Sequence, residues 1–101
     1  MRILIAEDDP KLLKSLVHIF EMNHYAVDGV DNGNDAFDFA SSDEYDGLVL
    51  DIMMPGLNGW EVCKKIRESS AVPVIMLTAR SEEFDELTGY ESGIDDYVTK
   101  P

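Results

Sequence analysis

Two kinds of hydrophobic pattern alternate along this chain. Short apolar runs, which are too brief for a typical helix, are separated by longer segments in which apolar residues recur at helical spacing. The short runs lie at residues 2–6, 25–30, 48–50, 72–77 and 97–98. Such alternation predicts parallel strands joined by right-handed helical crossovers. We therefore expect an α/β fold, with a doubly wound five-stranded parallel sheet and helices on both faces.

The first helical segment shows the second pattern clearly. Asp9 is a favoured N-cap residue, and Pro10 suits the first helical position. The residues that share the predicted apolar face are Leu12, Leu13, Leu16, Val17 and Phe20. This segment therefore predicts a helix that begins after Asp9 and packs one face on the sheet.

Three further helices are expected between the later strands. Residues 31–35 supply turn and capping side chains before the second helix. Asn58 is the expected N-cap of a third helix, which runs from Trp60 to about Arg67. Ser81 and the acids after it open a fourth, which Gly89 or Gly93 helps to end.

Polar residues follow four of the predicted strands at the point where each strand ends. Glu7 and Asp8 follow the first strand, and Asp51 ends the central one. Thr78 and Lys100 follow the last two. The carboxyl ends of parallel strands lie on one edge of a sheet, which is where such folds place their binding sites. We therefore expect these side chains to form one site.

Composition limits the classes of function. The 101 residues suit one small domain, and 45% hydrophobic residues are ordinary for a globular protein. The net charge of -13 argues against nucleic-acid binding by this segment and against attachment to anionic membranes. No apolar stretch is long enough for a signal peptide or a membrane span, so we expect a cytoplasmic protein.

Several other candidates for chemistry have simpler explanations. Cys63 is the only cysteine, and we interpret it as a core or near-surface thiol. His18 and His24 have no partner at metal-ligand spacing. Residues 28–35 do not place their acids and glycines as an EF-hand loop requires, so we interpret them as a turn.

The strand-end motifs closely resemble the receiver domain of two-component response regulators. They are Glu7-Asp8, the segment Asp-Ile-Met-Met-Pro-Gly-Leu-Asn-Gly that begins at Asp51, Thr78-Ala79 and Lys100-Pro101. The resemblance extends from Ile3 to Pro101 and implies a flavodoxin-like fold. Residues 77–80 and 93–101 look most like the branch that carries a downstream winged-helix DNA-binding domain.

This resemblance implies a role for each acidic residue of the site. Asp51 would accept a phosphoryl group from the phosphohistidine of a sensor histidine kinase. Asp8 and Asp51 would bind Mg²⁺ directly, Glu7 would bind it through water, and the backbone carbonyl of Met53 would be a further ligand. These are the oxygen ligands that Mg²⁺ prefers.

The resemblance also implies a conformational switch without catalytic turnover. Lys100 would neutralise charge on the transferred group, and the Thr78 hydroxyl would bind it, while the small Ala79 leaves it room. Tyr97 would turn from an exposed to a buried position and so change the neighbouring surface. In such domains the Lys100-Pro101 bond is commonly cis.

The fold is expected to continue with a helix after Pro101, which the sequence does not contain. We therefore expect a receiver domain over residues 1–101 that lacks its C-terminal helix. It is either cut from a longer protein or associated with another copy, as a homodimer or a domain-swapped oligomer. DNA binding would belong to a downstream domain.

Two other readings stay open at this point. Phosphatases of the haloacid-dehalogenase type also use a strand-end aspartate, a hydroxyl, a lysine and Mg²⁺. They need a second aspartate two residues after the nucleophile, where this chain has Met53. A flavodoxin-like nucleotide or flavin module is the other reading, but it needs a glycine- or hydroxyl-rich loop where this chain has Glu7-Asp8-Asp9.

Overall fold

The computed structural model describes residues 1–78 and 94–100, and within these ranges it contains five strands and three helices. The strands are β1 (Arg2–Ala6), β2 (Ala26–Val30), β3 (Gly47–Asp51), β4 (Val74–Thr78) and β5 (Asp96–Thr99). The helices are α1 (Pro10–Met22), α2 (Gly33–Ser42) and α3 (Gly59–Ile66). The alternating order confirms the predicted α/β class.

All five strands pair in parallel in one sheet, in the order β2-β1-β3-β4-β5. The strand that ends in Asp51 therefore lies at the centre. Leu50 on this strand pairs with Ala6 of β1 and with Met76 of β4, so the ends of these three strands are aligned. This register places the residues after β1 beside Asp51.

The two faces of the sheet carry separate hydrophobic clusters. On one face, Ile3, Ile5, Val49 and Leu77 pack against the apolar side of α1. On the other face, alternate strand residues such as Leu4, Leu48 and Met76 pack against α2 and α3. The predicted doubly wound arrangement is confirmed, because side chains of successive strand residues point to opposite faces.

The predicted N-caps are present. The Asp9 carboxylate accepts hydrogen bonds from the backbone N–H groups of Lys11 and Leu12, with Pro10 at the start of α1. Asn58 accepts from the N–H of Glu61, whose side chain accepts from the N–H of Asn58. This reciprocal pair of bonds is a capping box, which fixes where α3 begins.

The boundaries of β4 differ from the prediction by one to two residues. The apolar run begins at Val72, but the strand begins at Val74 and includes Thr78. Pro73 has no N–H to donate, so pairing toward β3 at this position is limited to its carbonyl, which accepts from Leu48 N. Thr78 is thus the last residue of a strand.

Cys63 is fully buried between α3 and the sheet, as the prediction of a core thiol requires. Burial raises the pKa of its thiol, which keeps the sulfur in its less reactive protonated form. No described helix is both long enough and apolar enough to cross a bilayer.

Among the described strand residues, two large apolar side chains are exposed on the face of the sheet that carries α1. They are Ile75 of β4, which is 39% exposed, and Val98 of β5, which is 50% exposed. The expected covering by a further helix or a second chain stays a prediction. The helix predicted to open at Ser81, the role of Ala79 and the Lys100-Pro101 bond lie outside the described residues.

Candidate functional site

Backbone hydrogen bonds bring the strand ends together at one edge of the sheet. The N–H of Glu7 donates to the carbonyl of Val30, and the N–H of Lys100 donates to the carbonyl of Thr78. The N–H of Ile52 donates to the carbonyl of Leu77, which continues the β3–β4 pairing just past Asp51. The polar residues at the ends of β1, β3, β4 and β5 are therefore held in a fixed register.

Three carboxylates form a cluster at this edge. Glu7, Asp8 and Asp51 each offer an oxygen atom, and these oxygens lie within 4.8 Å of one another. Glu7 is completely buried and Asp51 is 2% exposed, whereas Asp8 is exposed. The cluster thus has two buried members and an opening to solvent at Asp8.

Lys100 supplies positive charge to the same cluster. Its Nζ lies 2.9 Å from Glu7 Oε1, to which it donates a hydrogen bond, and 3.1 Å from Asp51 Oδ2. Its side chain is 18% exposed, so this contact is largely shielded from water. One lysine therefore faces both buried carboxylates.

The electrostatics of the site favour an additional cation. Burial raises the pKa of Asp51, and the adjacent Glu7 carboxylate raises it further. Burial and the neighbouring Asp51 also raise the pKa of Asp8. Burial alone would lower the pKa of Lys100, but its hydrogen bond to Glu7 and its ion pair with Asp51 outweigh that effect and raise it. Lys100 is thus firmly protonated beside carboxylates whose negative charge is incompletely balanced.

Within the part of the chain that the structure describes, two buried oxygens of this cluster have no hydrogen-bond partner. They are Oε2 of Glu7 and Oδ2 of Asp51, the latter lying at ion-pair distance from Lys100 without the alignment of a hydrogen bond. Such atoms are rare in folded proteins because burying an unsatisfied charged oxygen is costly. A small divalent cation with oxygen ligands, such as Mg²⁺, would satisfy them. The donor set fits such an ion.

The remaining predicted residues lie around this cluster. The N–H of Met53 is 3.3 Å from Asp51 Oδ1, so the Met53 backbone adjoins the acceptor while its side chain is 65% exposed. Thr78 is fully buried at the end of β4, next to the centre strand. Tyr97 lies on β5 and packs against the cluster that includes α2 and α3. Every predicted site residue except Tyr97 is therefore at this strand edge.

The sequence reading missed one residue that bears directly on the site. Gly59, the first residue of α3, lies against the backbone of Asp51 so closely that a Cβ atom there would overlap the Asp51 carbonyl oxygen. In the sequence, Gly59 is the last residue of the segment that begins at Asp51 and directly follows the N-cap Asn58, and neither fact relates it to the Asp51 backbone.

A cavity of about 410 Å³ lies away from these residues. Its lining belongs to the segments before β3 and before β4 and includes Asp43, Tyr45, Asp46 and Val72. It is therefore at the amino ends of the strands, and no predicted site residue lines it.

Comparison with known proteins points to one family. The family described as "Response regulator receiver domain" matches residues 3–101. The Transcriptional regulatory protein ResD of Bacillus subtilis is 43% identical over 100 residues, which is 99% of this chain and 42% of ResD. Response regulator ArlR of Staphylococcus aureus is 41% identical over 99% of this chain and 46% of its own length. The chain therefore spans less than half the length of these relatives.

Solved structures agree with this match. The response regulator TrrA of Thermotoga maritima, described as a complex with Mg²⁺ and BeF, is 35% identical with a TM-score of 0.90. The match covers 99% of this chain and 86% of that chain.

Proposed function

This chain belongs to the response regulator receiver domains, and on that premise we propose that Asp51 is its phosphoryl acceptor, with a sensor histidine kinase as the donor. The observation that carries the proposal is the position of Asp51. It ends the centre strand, is 2% exposed, and lies between two other carboxylates and the Lys100 ammonium group. Of the three readings left open by the sequence, the family match favours this one.

The transfer step needs an attacking oxygen and a leaving nitrogen. An Asp51 carboxylate oxygen forms a bond to phosphorus as the bond from phosphorus to the kinase histidine nitrogen breaks. The leaving imidazole keeps the electron pair of that bond, and the product is an aspartyl phosphate. Carboxylates are weak nucleophiles, so the rate depends on placement and on charge neutralisation around the phosphoryl group.

The residues of this chain supply both requirements. Lys100 Nζ is 3.1 Å from Asp51 Oδ2, so its charge would lie beside the developing phosphate oxygens. Asp8 and Asp51 would hold Mg²⁺ directly, Glu7 through water, and the Met53 carbonyl would complete the protein ligands. The ion, when bound, neutralises charge on the phosphoryl oxygens.

The output is a change of shape. The Thr78 hydroxyl, at the end of β4, would bind a phosphoryl oxygen and move toward Asp51. Tyr97 on β5 is half-buried, so a rotation of its side chain would be enough to bury the ring or to expose it to solvent. A shift in its packing would alter the surface formed by β5 and so report the phosphorylated state.

Residues 1–101 would act as the receiver domain of a longer cytoplasmic regulator. One relative is named a transcriptional regulatory protein, and this chain spans only 42% of it. We therefore propose control of transcription through a DNA-binding domain outside this sequence. The net charge of -13 supports the assignment of DNA binding elsewhere.

Phosphorylation by a small donor tests the proposal directly. The chain and its Asp51→Ala variant are incubated with acetyl phosphate and Mg²⁺, and intact masses are measured. We expect a gain of one phosphoryl group on the native chain and none on the variant. A gain that survives in Asp51→Ala would remove Asp51 from this role.

A further inference from the structure

The start of α3 packs directly against the backbone of Asp51. The N–H of Gly59 donates a hydrogen bond of 2.9 Å to the carbonyl of Ile52. A Cβ atom at position 59 would overlap the Asp51 carbonyl oxygen and would lie 2.7 Å from Met76 Sδ. Real Cβ contacts are essentially never this close, so any larger residue at position 59 forces a neighbour to move.

The neighbours of Gly59 have little freedom to move independently. Met76 is completely buried in the core of the sheet. Asp51 pairs with Leu77, and the next residue, Ile52, donates to the Leu77 carbonyl. A displacement at position 59 is therefore transmitted to the Asp51 backbone and, through it, to the carboxylate.

Helix α3 is itself held firmly at this end. The capping box formed by Asn58 and Glu61 fixes its first turn, with bonds of 2.9 and 3.0 Å. Val62 and Cys63 in the next turn are completely buried against the sheet. The helix thus has a defined position from which it can hold the end of β3.

We propose that Gly59 is a positioning residue, which lets the start of α3 approach the Asp51 backbone and so sets the Asp51 carboxylate against Lys100 and the acidic cluster. This role rests on the proposed function of Asp51. The separation between Asp51 Oδ2 and Lys100 Nζ is 3.1 Å, so a backbone shift of a fraction of an ångström changes the geometry of attack. Misplacement of reacting groups by about 1 Å lowers rates by roughly a hundredfold.

The Gly59→Ala variant tests this role, with Ile66→Ala as its matched control. Ile66 is a buried residue at the other end of the same helix, so its truncation weakens α3 packing at a distance from Gly59. Initial rates of aspartyl phosphate formation are measured at saturating acetyl phosphate and Mg²⁺ and divided by the folded fraction from thermal melts. Alanine is a better helix former than glycine, so helix propensity alone would favour the variant.

We expect Gly59→Ala to lower the rate per folded molecule about tenfold or more, and Ile66→Ala to stay within about twofold of the native chain. The effect should appear in the rate at saturating donor, because Gly59 is buried. A Gly59→Ala rate within about twofold of native would overturn the positioning role. An equal loss in Ile66→Ala would do the same, because it would indicate general destabilisation.

A second pair of variants decides the question if Gly59→Ala does not fold. Asn58→Gly removes the N-cap side chain of α3 and so loosens its first turn, while Gly59 is kept. Asn32→Gly is the control, because it removes the N-cap side chain of α2, which accepts an equivalent bond from the N–H of Asp35. Glycine is tolerated at N-caps at little cost, so both should fold. We expect the rate of aspartyl phosphate formation per folded molecule to fall about threefold or more in Asn58→Gly and to stay near native in Asn32→Gly. Equal rates in these two variants would overturn the proposal.

The native chain and Asp51→Ala separate this proposal from the function on which it rests. A native chain that gains no phosphoryl group defeats the proposed function and the positioning role together. A native chain that is phosphorylated at Asp51 beside a Gly59→Ala variant of equal rate defeats the positioning role alone.

Discussion

Lys100 donates a 2.9 Å hydrogen bond to Glu7, although 93 positions separate the two residues in the sequence. Glu7 is completely buried, and Lys100 is 18% exposed. The pair joins the residue after β1 to the residue after β5, across the end of the centre strand. Among the described residues, Lys100 therefore supplies the positive charge that balances the two buried carboxylates.

Replacement of Lys100 by methionine should destabilise the metal-free chain. The change keeps the length of the side chain but leaves two buried carboxylates without a counter-charge. Removal of one partner of a buried pair costs about 3 kcal/mol, so we expect a loss of that order in the free energy of unfolding. Urea denaturation without Mg²⁺ measures it.

Lys14→Met is the control for that variant, because Lys14 is exposed on α1. We expect its unfolding free energy to stay within about 0.5 kcal/mol of native. Excess Mg²⁺ should recover part of the Lys100→Met loss, since it supplies positive charge to the same carboxylates. A Lys100→Met chain as stable as the control would show that the ion pair does not balance this cluster.

Mg²⁺ should stabilise the native chain through the acidic cluster. An ion at a hundredfold excess over its dissociation constant adds about 2.7 kcal/mol to the free energy of unfolding. We expect Asp8→Asn to weaken Mg²⁺ affinity at least about tenfold, because even changes beyond the direct ligands commonly cost that much. Isothermal calorimetry and thermal melts at increasing Mg²⁺ provide the measurement.

The neighbouring Asp9→Asn is the matched control for this prediction. Asp9 is the N-cap of α1, and asparagine caps helices as well as aspartate. Its Mg²⁺ affinity should therefore remain near native. Equal losses in the two variants would indicate a general effect of charge, and no direct role for Asp8.

The hydrogen bond between Tyr45 and Asp28 of β2 should make the free energy of unfolding depend on pH. The Tyr45 hydroxyl donates to Asp28 Oδ2 at 2.7 Å, and this bond, with a smaller contribution from Arg2, lowers the pKa of Asp28 below its ordinary 3.8. The stabilising contribution of this bond is complete at pH values above 3.8. It is lost as the pH falls through the lower pKa that Asp28 has in the folded chain. We expect the free energy of unfolding of the native chain to exceed that of Tyr45→Phe by about 1 kcal/mol at pH 7, and by less near pH 3.

Urea titrations of the native chain and of Tyr45→Phe at pH 7, 5 and 3 measure this difference. Tyr25→Phe is the control, because the Tyr25 ring packs edge-on against Phe20. Burial and the bond to Asp28 also raise the pKa of Tyr45 to about 12. The native-minus-variant difference in phenolate absorbance should therefore appear near pH 12. A Tyr45 that ionises near pH 10 would contradict the assigned bond.

His24 occupies a backbone conformation that favours glycine. Its φ is 70°, and it follows the C-cap Asn23 at the end of α1. The N–H groups of His24 and Tyr25 donate to the carbonyls of Glu21 and Phe20, which is the Schellman pattern of helix ends. We expect His24→Gly to raise the free energy of unfolding by about 0.5 kcal/mol, because glycine removes the Cβ clash but adds chain entropy to the unfolded state.

Asn23→Gly is the comparison for that variant. Asn23 has a negative φ, and its side chain donates to the Ile19 carbonyl, so glycine relieves nothing there and loses a bond. We expect lower stability for Asn23→Gly in the same urea titration. Stabilisation by both glycines would contradict the explanation from φ.

The residues at the strand ends could be predicted from the sequence because they depend on local pattern. A buried run followed directly by Asp51, and another followed by Glu7, required only the rule that parallel strands end on one edge. The caps at Asp9 and Asn58 were equally local, since capping depends on the residue type and the turn that follows.

The close contacts could not be predicted, because they join residues far apart in the sequence. Gly33 of α2 lies so near the Leu57 carbonyl that a Cβ there would overlap it, and no period in the sequence relates the two. The bond from Tyr45 to Asp28 likewise joins the segment before β3 to β2, although these two strands are not adjacent in the sheet. Such contacts follow from the packed fold and leave no repeat in the chain.

The Lys100–Glu7 contact joins two residues that are synthesised far apart in time. A ribosome releases the chain from its amino end, so Glu7, Asp8 and Asp51 emerge well before Lys100. Until β5 docks, a nascent chain with β1 and β3 paired would hold these carboxylates together without their lysine, and mutual repulsion would oppose its closure. The lysine therefore balances charge at the acidic edge only once β5 has paired with β4.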